Sequence, residues 1–228
     1  MPNEQVRVSA VLLDVDGTLV DSNDAHAEAW VRALADAGIA VALVDVRRLI
    51  GMGGDKLLPA ICGVSHDSPE GQRISNRRGD IFASEYLPNL VAFRDAHQLV
   101  AALKERNLTA VAASSAKEDE LRRLLKIAGA LSLLDGATSS DDVEDSKPDP
   151  DIIQAALKLA KASPREALMI GDTPYDIEAA ERAGVHTIAF RCGGWDDASL
   201  RGAVAIYDGP WDLLAHLDAS PLAKRVAR

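Results

Sequence analysis

The apolar runs of this chain end in side chains that can do chemistry. In "VSAVLLDVDGTLVDS", residues 8–22, the run from Val8 to Leu13 stops at two carboxylates one residue apart, Asp14 and Asp16, and then turns at Gly17 and Thr18. "TAVAASS" closes on Ser114 and Ser115, "ALMIGD" on Asp172 with Asp176 four residues further on, and the loop "EDSKPDP" carries Lys147. Several carboxylates on one rim repel each other, and some must take up protons unless a cation sits among them. Oxygen ligands of this kind suit Mg²⁺, which keeps several waters and is typically held by one or two carboxylates plus a substrate phosphate. Lys147 and the Ser114 hydroxyl can then hold phosphate oxygens from the opposite side. A carboxylate can also attack phosphorus directly and form an aspartyl-phosphate, which makes Asp14 the candidate nucleophile. Asp16, close by but turned differently, is the candidate group to protonate the leaving oxygen and then activate water.

These groups meet only if a sheet brings them to one edge. Ala96, Leu99, Val100 and Leu103 fall at i, i+3, i+4 and i+7, one face of a helix, and "TAVAAS" after them reads as a short buried strand. A helix with Leu121, Leu124, Leu125 and Ala128, the apolar "LSLLDGA" as the next strand, and a helix with Ile153, Ala156, Leu157 and Ala160 follow. "ALMIGD" and "HTIAF" are strands around a helix from about Pro174 to Ala183. Short strands without polar alternation are expected where helices cover both sheet faces, so the fold class is α/β with a parallel sheet. Ligands of such sheets bind beyond the carboxyl ends of the strands, where the strand order switches direction.

Residues 21–88 break this rhythm. Ala27, Trp30, Val31 and Leu34 mark one amphipathic helix, Leu57, Leu58 and Ile61 a short second, and Ser68-Pro69 opens a third with Ile74, Ile81 and Phe82 on its apolar side. The expected organisation is a catalytic core of residues 1–20 and 89–228 with an all-helical domain of residues 21–88 inserted after the first strand. Within the insert, "RRLIGMGGDKLL" sets Gly51, Gly53 and Gly54 beside Arg47, Arg48 and Lys56. That is either a substrate-facing loop or an ordinary turn between helices. His26 reads as structural.

Composition bounds the partners. With 228 residues and 47% apolar content, the chain can bury a substantial core. A formal net charge of −10 opposes nucleic acid or anionic membrane as the main partner. No segment reads as a leader or a membrane span, so a cytoplasmic protein, a monomer or weak homodimer, is expected. Cys62 and Cys192 are far apart and without metal-ligand spacing, and are expected to be inert.

Single aspartates after strands are often turn or cap residues. Thr173-Pro174-Tyr175-Asp176 fits a capping box, so Asp176 can serve a helix end as well as a metal, and Ser115 to Glu118 fits another, which leaves Ser114 as the phosphate contact. As a set, however, "DVDGTLVDS", Ser114 after an apolar strand, Lys147 in "SKPDP" and "GDTPYD" resemble the four motifs of the haloacid dehalogenase-like superfamily, in order and over nearly the whole chain. The resemblance implies a Rossmann-like core with a small helical cap, Asp14 as nucleophile and Asp16 as acid/base. It also implies Mg²⁺ held by the Asp14 carboxylate, the Asp16 backbone carbonyl and Asp172, with Asp176 in support.

Within that superfamily, Asp16 separates the branches. The dehalogenases lack an aspartate there and need no Mg²⁺, and the phosphonate-cleaving branch has a small residue at the position. What remains is phosphoryl transfer, and the resemblance implies first a Mg²⁺-dependent phosphatase of a small phosphorylated metabolite, such as phosphoglycolate or a sugar phosphate. A phosphomutase of the β-phosphoglucomutase kind shares every motif, and a silent binding protein of the same fold is the reading from another class.

Overall fold

The computed structural model describes residues 6–223 and 225–226. In chain order, β1 (Val6–Arg7) and β2 (Ala10–Leu13) lead into α1 (Asn23–Asp36), α2 (Leu43–Arg47), α3 (Gly54–Cys62) and α4 (Pro69–Ile81). After them come α5 (Ala96–Glu105), β3 (Thr109–Ala113), α6 (Glu118–Ile127), β4 (Gly136–Thr138), α7 (Asp151–Ala160), β5 (Ala167–Gly171) and α8 (Pro174–Arg182). The chain finishes with β6 (His186–Phe190), β7 (Ala205–Tyr207), α9 (Pro210–Ala215) and β8 (Arg225–Val226), the last paired antiparallel to β1.

Six strands form one sheet in the order β4-β3-β2-β5-β6-β7, every neighbouring pair parallel. This is the Rossmann-like α/β architecture expected from the alternating pattern. β2 is central, with β3 on one side and β5 on the other, so strand order reverses at β2 and a crevice opens beyond its carboxyl end. The two-residue period of a strand divides the core. Val11 and Leu13 pack on one face with Leu99 and Leu103 of α5 and Leu121 and Leu124 of α6. Ala10 and Leu12 pack on the other with Ile152, Ile153 and Ala156 of α7 and Ala179 and Ala180 of α8. All four β2 side chains are fully buried, which a strand with polar alternation could not be.

Two sequence expectations need correction. Of "LSLLDGA", only Gly136 and Ala137 are strand, which runs on to Thr138. The preceding residues close the end of α6 instead, with Ala130 donating to the Leu125 carbonyl, and the strand cannot start before Asp135. There the backbone N–H donates to the Ala110 carbonyl and the carboxylate accepts from the Ala110 N–H, both at 2.8 Å. The Ser115 capping box does not form: Lys117 is the residue before α6, and the Glu118 N–H is taken by Asp141 of a neighbouring loop. Near the end of the chain Leu217–Ala219 forms a 3₁₀ turn and Ser220 and Leu222 are buried; residues 224, 227 and 228 lie outside the described range. The strand β7 and the helices α2 and α9 carry too short a pattern to be anticipated.

Residues 21–88 hold α1 to α4 and the turns after them. α1 packs on α2 and α4. Ser68 caps α4 by accepting from the Gly71 N–H at 3.0 Å, with Pro69 in the first turn. The two strands of chain entering and leaving this segment are tied together, Asp21 N–H to the Val91 carbonyl and Phe93 N–H to the Leu19 carbonyl, each at 3.0 Å. No helix among the described residues is long and apolar enough to cross a membrane.

Candidate active site

The parallel register sets the site. Leu13 of β2 stands level with Ala112 of β3 and Ile170 of β5, so the residue after each strand reaches the same rim. Asp14 is tied there by its N–H to the Ile170 carbonyl at 2.9 Å. Gly17, at φ 73°, turns the chain beyond it in the left-handed region that a side chain resists. A Cβ at this position would also overlap the Asn23 amide and the Asp172 carboxylate. The turn aims the Thr18 hydroxyl back at the rim, 2.9 Å from Asp172 Oδ1 and 3.1 Å from Asp14 Oδ2.

Lys147 lies almost fully buried, its Nζ donating to Asp14 Oδ1 at 2.6 Å and to the Ala113 carbonyl at 2.7 Å. The same ammonium is 2.7 Å from Asp176 Oδ1, as an ion pair without hydrogen-bond geometry. The expected capping box on α8 is present: Asp176 Oδ2 accepts from the N–H and hydroxyl of Thr173, and Thr173 Oγ1 accepts from the Asp176 N–H. Asp176 therefore serves the helix with one oxygen and the rim with the other. Asp172 accepts from Thr18 and, at 2.8 Å, from Asn23 Nδ2.

Asp14, Asp172 and Asp176 are all buried, and oxygens from the three lie within 4.8 Å of one another. One ammonium for three carboxylates leaves an excess of negative charge. Burial, followed by the charge of Asp176, pushes Asp172 up to about 7. Burial likewise raises Asp14 well above the usual carboxylate range, although Lys147 pulls it the other way. Lys147 is raised despite its burial, because Asp14 and Asp176 hold its proton. This donor set, hard oxygens crowded enough to favour protonation, fits a divalent cation of the Mg²⁺ type, which would remove that excess.

Asp16 is set apart from the three. Its Oδ1 takes His26 Nε2 at 2.8 Å and the Ser22 hydroxyl at 2.5 Å. Burial alone would raise it, but His26 and Ser22 more than offset this and hold it below the usual range. The two carboxylates one residue apart are thus pushed in opposite directions by their surroundings. Ser114 lines the same cavity, its hydroxyl accepting from the Ala116 N–H at 3.1 Å.

The cavity over these groups is small, about 50 Å³. Asp14, Asp16, His26 and Ser114 form its floor, and Trp30, Ile50, Gly51 and Met52 from the helical segment cover it. The glycine-rich loop therefore does face the site, but its cations do not. Lys56 is paired with Asp145 and Asp149, and Arg47 with Asp24 and the Gly193 carbonyl. Neither cysteine joins the site chemistry: both are free and half-buried, and burial pushes the Cys192 thiol up.

Thr18, Asn23 and His26 belong to the site and were missed or read as structural. Thr18 sits inside the quoted "DGT" turn, which was a usable signal. Asn23 and His26 lie on α1, three residues apart on one helix face, and only the docking of that helix on the rim reveals them.

A family model described as haloacid dehalogenase-like hydrolase matches residues 11–190. A phosphoglycolate phosphatase from Rhodospirillum rubrum is 28% identical over 208 residues, covering 87% of this chain and 86% of that protein. The chloroplastic protein SUPPRESSOR OF QUENCHING 1 from Arabidopsis thaliana is 31% identical over 189 residues, 81% of this chain but 18% of that much longer protein. Among solved structures, a hydrolase from Pseudomonas syringae superposes with a TM-score of 0.87 at 31% identity, covering 92% of this chain and 98% of that one.

Proposed function

The chain belongs to the haloacid dehalogenase-like hydrolases, and from that membership we propose that it is a Mg²⁺-dependent phosphatase of small phosphorylated metabolites that works through an aspartyl-phosphate on Asp14. The observation that carries this reading is the pairing at the end of β2. One carboxylate is held by Lys147 and Thr18 among further aspartates, and a second, Asp16, is held apart by His26 and Ser22.

The Asp14 carboxylate attacks phosphorus and the bond to the leaving oxygen breaks. The Asp16 carboxyl supplies the proton that oxygen needs. Water then attacks the acyl-phosphate, Asp16 takes its proton, and orthophosphate departs with Asp14 restored. The depressed Asp16 fits the second half most directly, since a base must start ionised. Ser114 lines the cavity where negative charge would spread over the phosphoryl oxygens, and Lys147, which holds Asp14, offsets that charge from behind the nucleophile; fixed groups in a closed site stabilise such charge without reorganising. Asp14, Asp172 and Asp176 are the carboxylates that would hold Mg²⁺, with the Asp16 backbone carbonyl as the further ligand. When bound, the ion neutralises part of the charge on both phosphate and nucleophile. The cover of Trp30, Ile50 and Met52 excludes bulk water and limits the substrate to a small molecule.

The test is phosphate release from p-nitrophenyl phosphate with and without Mg²⁺. Asp14→Asn is expected to abolish it by at least about 10³-fold, as loss of a nucleophile does. Activity unchanged by that substitution overturns the assignment.

A further inference from the structure

The leaving-group side of the site carries one ion pair that the chemistry above does not use. Arg78 of α4 donates from Nη1 to Glu120 Oε2 of α6 at 2.8 Å, across the junction between the helical segment and the sheet. Among the described residues, Arg78 is the only lysine or arginine lining the catalytic cavity, Lys147 being buried against Asp14, and Glu120 lines it as well. Both also line the adjoining crevice of about 760 Å³ between the same elements, so the pair stands where a leaving group must lie. The guanidinium is fixed over the rings of Trp30 and Phe82, 5.4 and 5.5 Å from their centroids.

Three polar atoms here are buried without a protein partner among the described residues: Arg78 Nε, Glu120 Oε1 and the Ser115 hydroxyl. Buried polar atoms demand partners. The set asks for both kinds at once, an acceptor opposite Arg78 and a donor opposite Glu120. A substrate hydroxyl supplies both from one oxygen, whereas a carboxylate or phosphate can only accept and would face the Glu120 charge directly. Like charges brought together in a part-buried site are strongly disfavoured.

We infer that Glu120, by occupying the guanidinium of Arg78, selects for substrates whose leaving group is an uncharged polyol, such as a sugar or glycerol phosphate, and against those whose leaving group is a second anion. Arg78 and Glu120 are then specificity residues of the phosphatase site, on whose assignment this inference rests. Rejection here is built from a repulsive element rather than from missing contacts.

The experiment compares kcat/KM for glycerol 3-phosphate and for phosphoglycolate in the wild type, Glu120→Gln and the double variant Arg78→Gln/Glu120→Gln. A ratio taken within one preparation does not depend on how much of a variant has folded. The wild type is expected to prefer glycerol 3-phosphate by about tenfold or more, Glu120→Gln to shift the ratio toward phosphoglycolate by about tenfold, and the double variant to lose that shift. A wild type that prefers phosphoglycolate, or a Glu120→Gln ratio within twofold of it, overturns the inference while leaving the phosphatase assignment intact. Wild-type protein that cleaves neither substrate nor p-nitrophenyl phosphate overturns the phosphatase reading, and the selection argument with it.

Discussion

Gly193→Ala tests whether the rim depends on the position of Asp172. Gly193 ends the 3₁₀ turn that follows β6, and its carbonyl accepts from Asn23 and Arg47. A Cβ placed there would stand 2.5 Å from the Asp172 Cβ and overlap the carboxylate itself, where ordinary contact begins at 3.4 Å. Asp172 is fully buried at the end of β5, so the turn or the carboxylate must give by about 1 Å. Overpacking of this kind costs about 1–3 kcal/mol, a fall in Tm of roughly 2–12 °C for a chain of this size. A 1 Å displacement of a group at the reacting centre costs about 10²-fold in rate. The assay is phosphate release against Mg²⁺ concentration, with Tm read in parallel. The expected outcome is a loss of about 10²-fold in kcat/KM, with saturation moved to higher Mg²⁺. Gly79→Ala is the control: it lies within α4 and its Cβ would meet nothing within 4 Å, so it should stabilise by about 0.5–1 kcal/mol. Gly193→Ala with kcat/KM within threefold of the wild type and an unchanged Mg²⁺ requirement refutes the argument that Gly193 and Asp172 are locked together.

Two further outcomes follow from the same electrostatics. Asp172 is raised to about 7 from an ordinary 3.8, so the native state favours its protonated form; that stabilisation is complete below about pH 4 and is lost as pH rises toward 7. Melting curves in chelator should show metal-free protein losing stability across that window. Asp172→Asn should flatten the trend, and added Mg²⁺ should stabilise more at pH 8 than at pH 5; a gain from Mg²⁺ that is independent of pH would count against a carboxylate site. His26→Phe keeps a ring beside Phe82, on which His26 is stacked at 4.0 Å, but removes the partner that holds Asp16 low. The acidic limb of kcat against pH should then move to higher pH, and an unmoved limb would separate His26 from Asp16.

Much of this was written in the chain order. The apolar strands and the residue after each were legible because a strand buried on both faces carries few polar residues until it leaves the sheet, so Asp14, Ser114 and Asp172 announce themselves as the ends of apolar runs. The capping box at Thr173 was legible for the same local reason: it closes within four residues. Where two segments compete for one backbone group, local reading failed. Ser115 was given a cap that Asp141, a loop away, supplies instead at 2.9 Å, and the start of β4 was set by Asp135 meeting the neighbouring strand β3.

The sequence by itself determined the alternation that makes the sheet parallel, the break for residues 21–88, and the residue types at the carboxyl ends of its strands. Only the tertiary structure decided what each carboxylate became. Asp14 and Asp16 are separated by one residue in the chain, yet one is raised by burial among aspartates and the other is held low by a histidine ten residues on. The physical reason is that the charge state of a buried group depends on the few ångströms around it. Those ångströms are filled by α1, α8 and the turn after β6, elements that meet at the rim only once the sheet has formed.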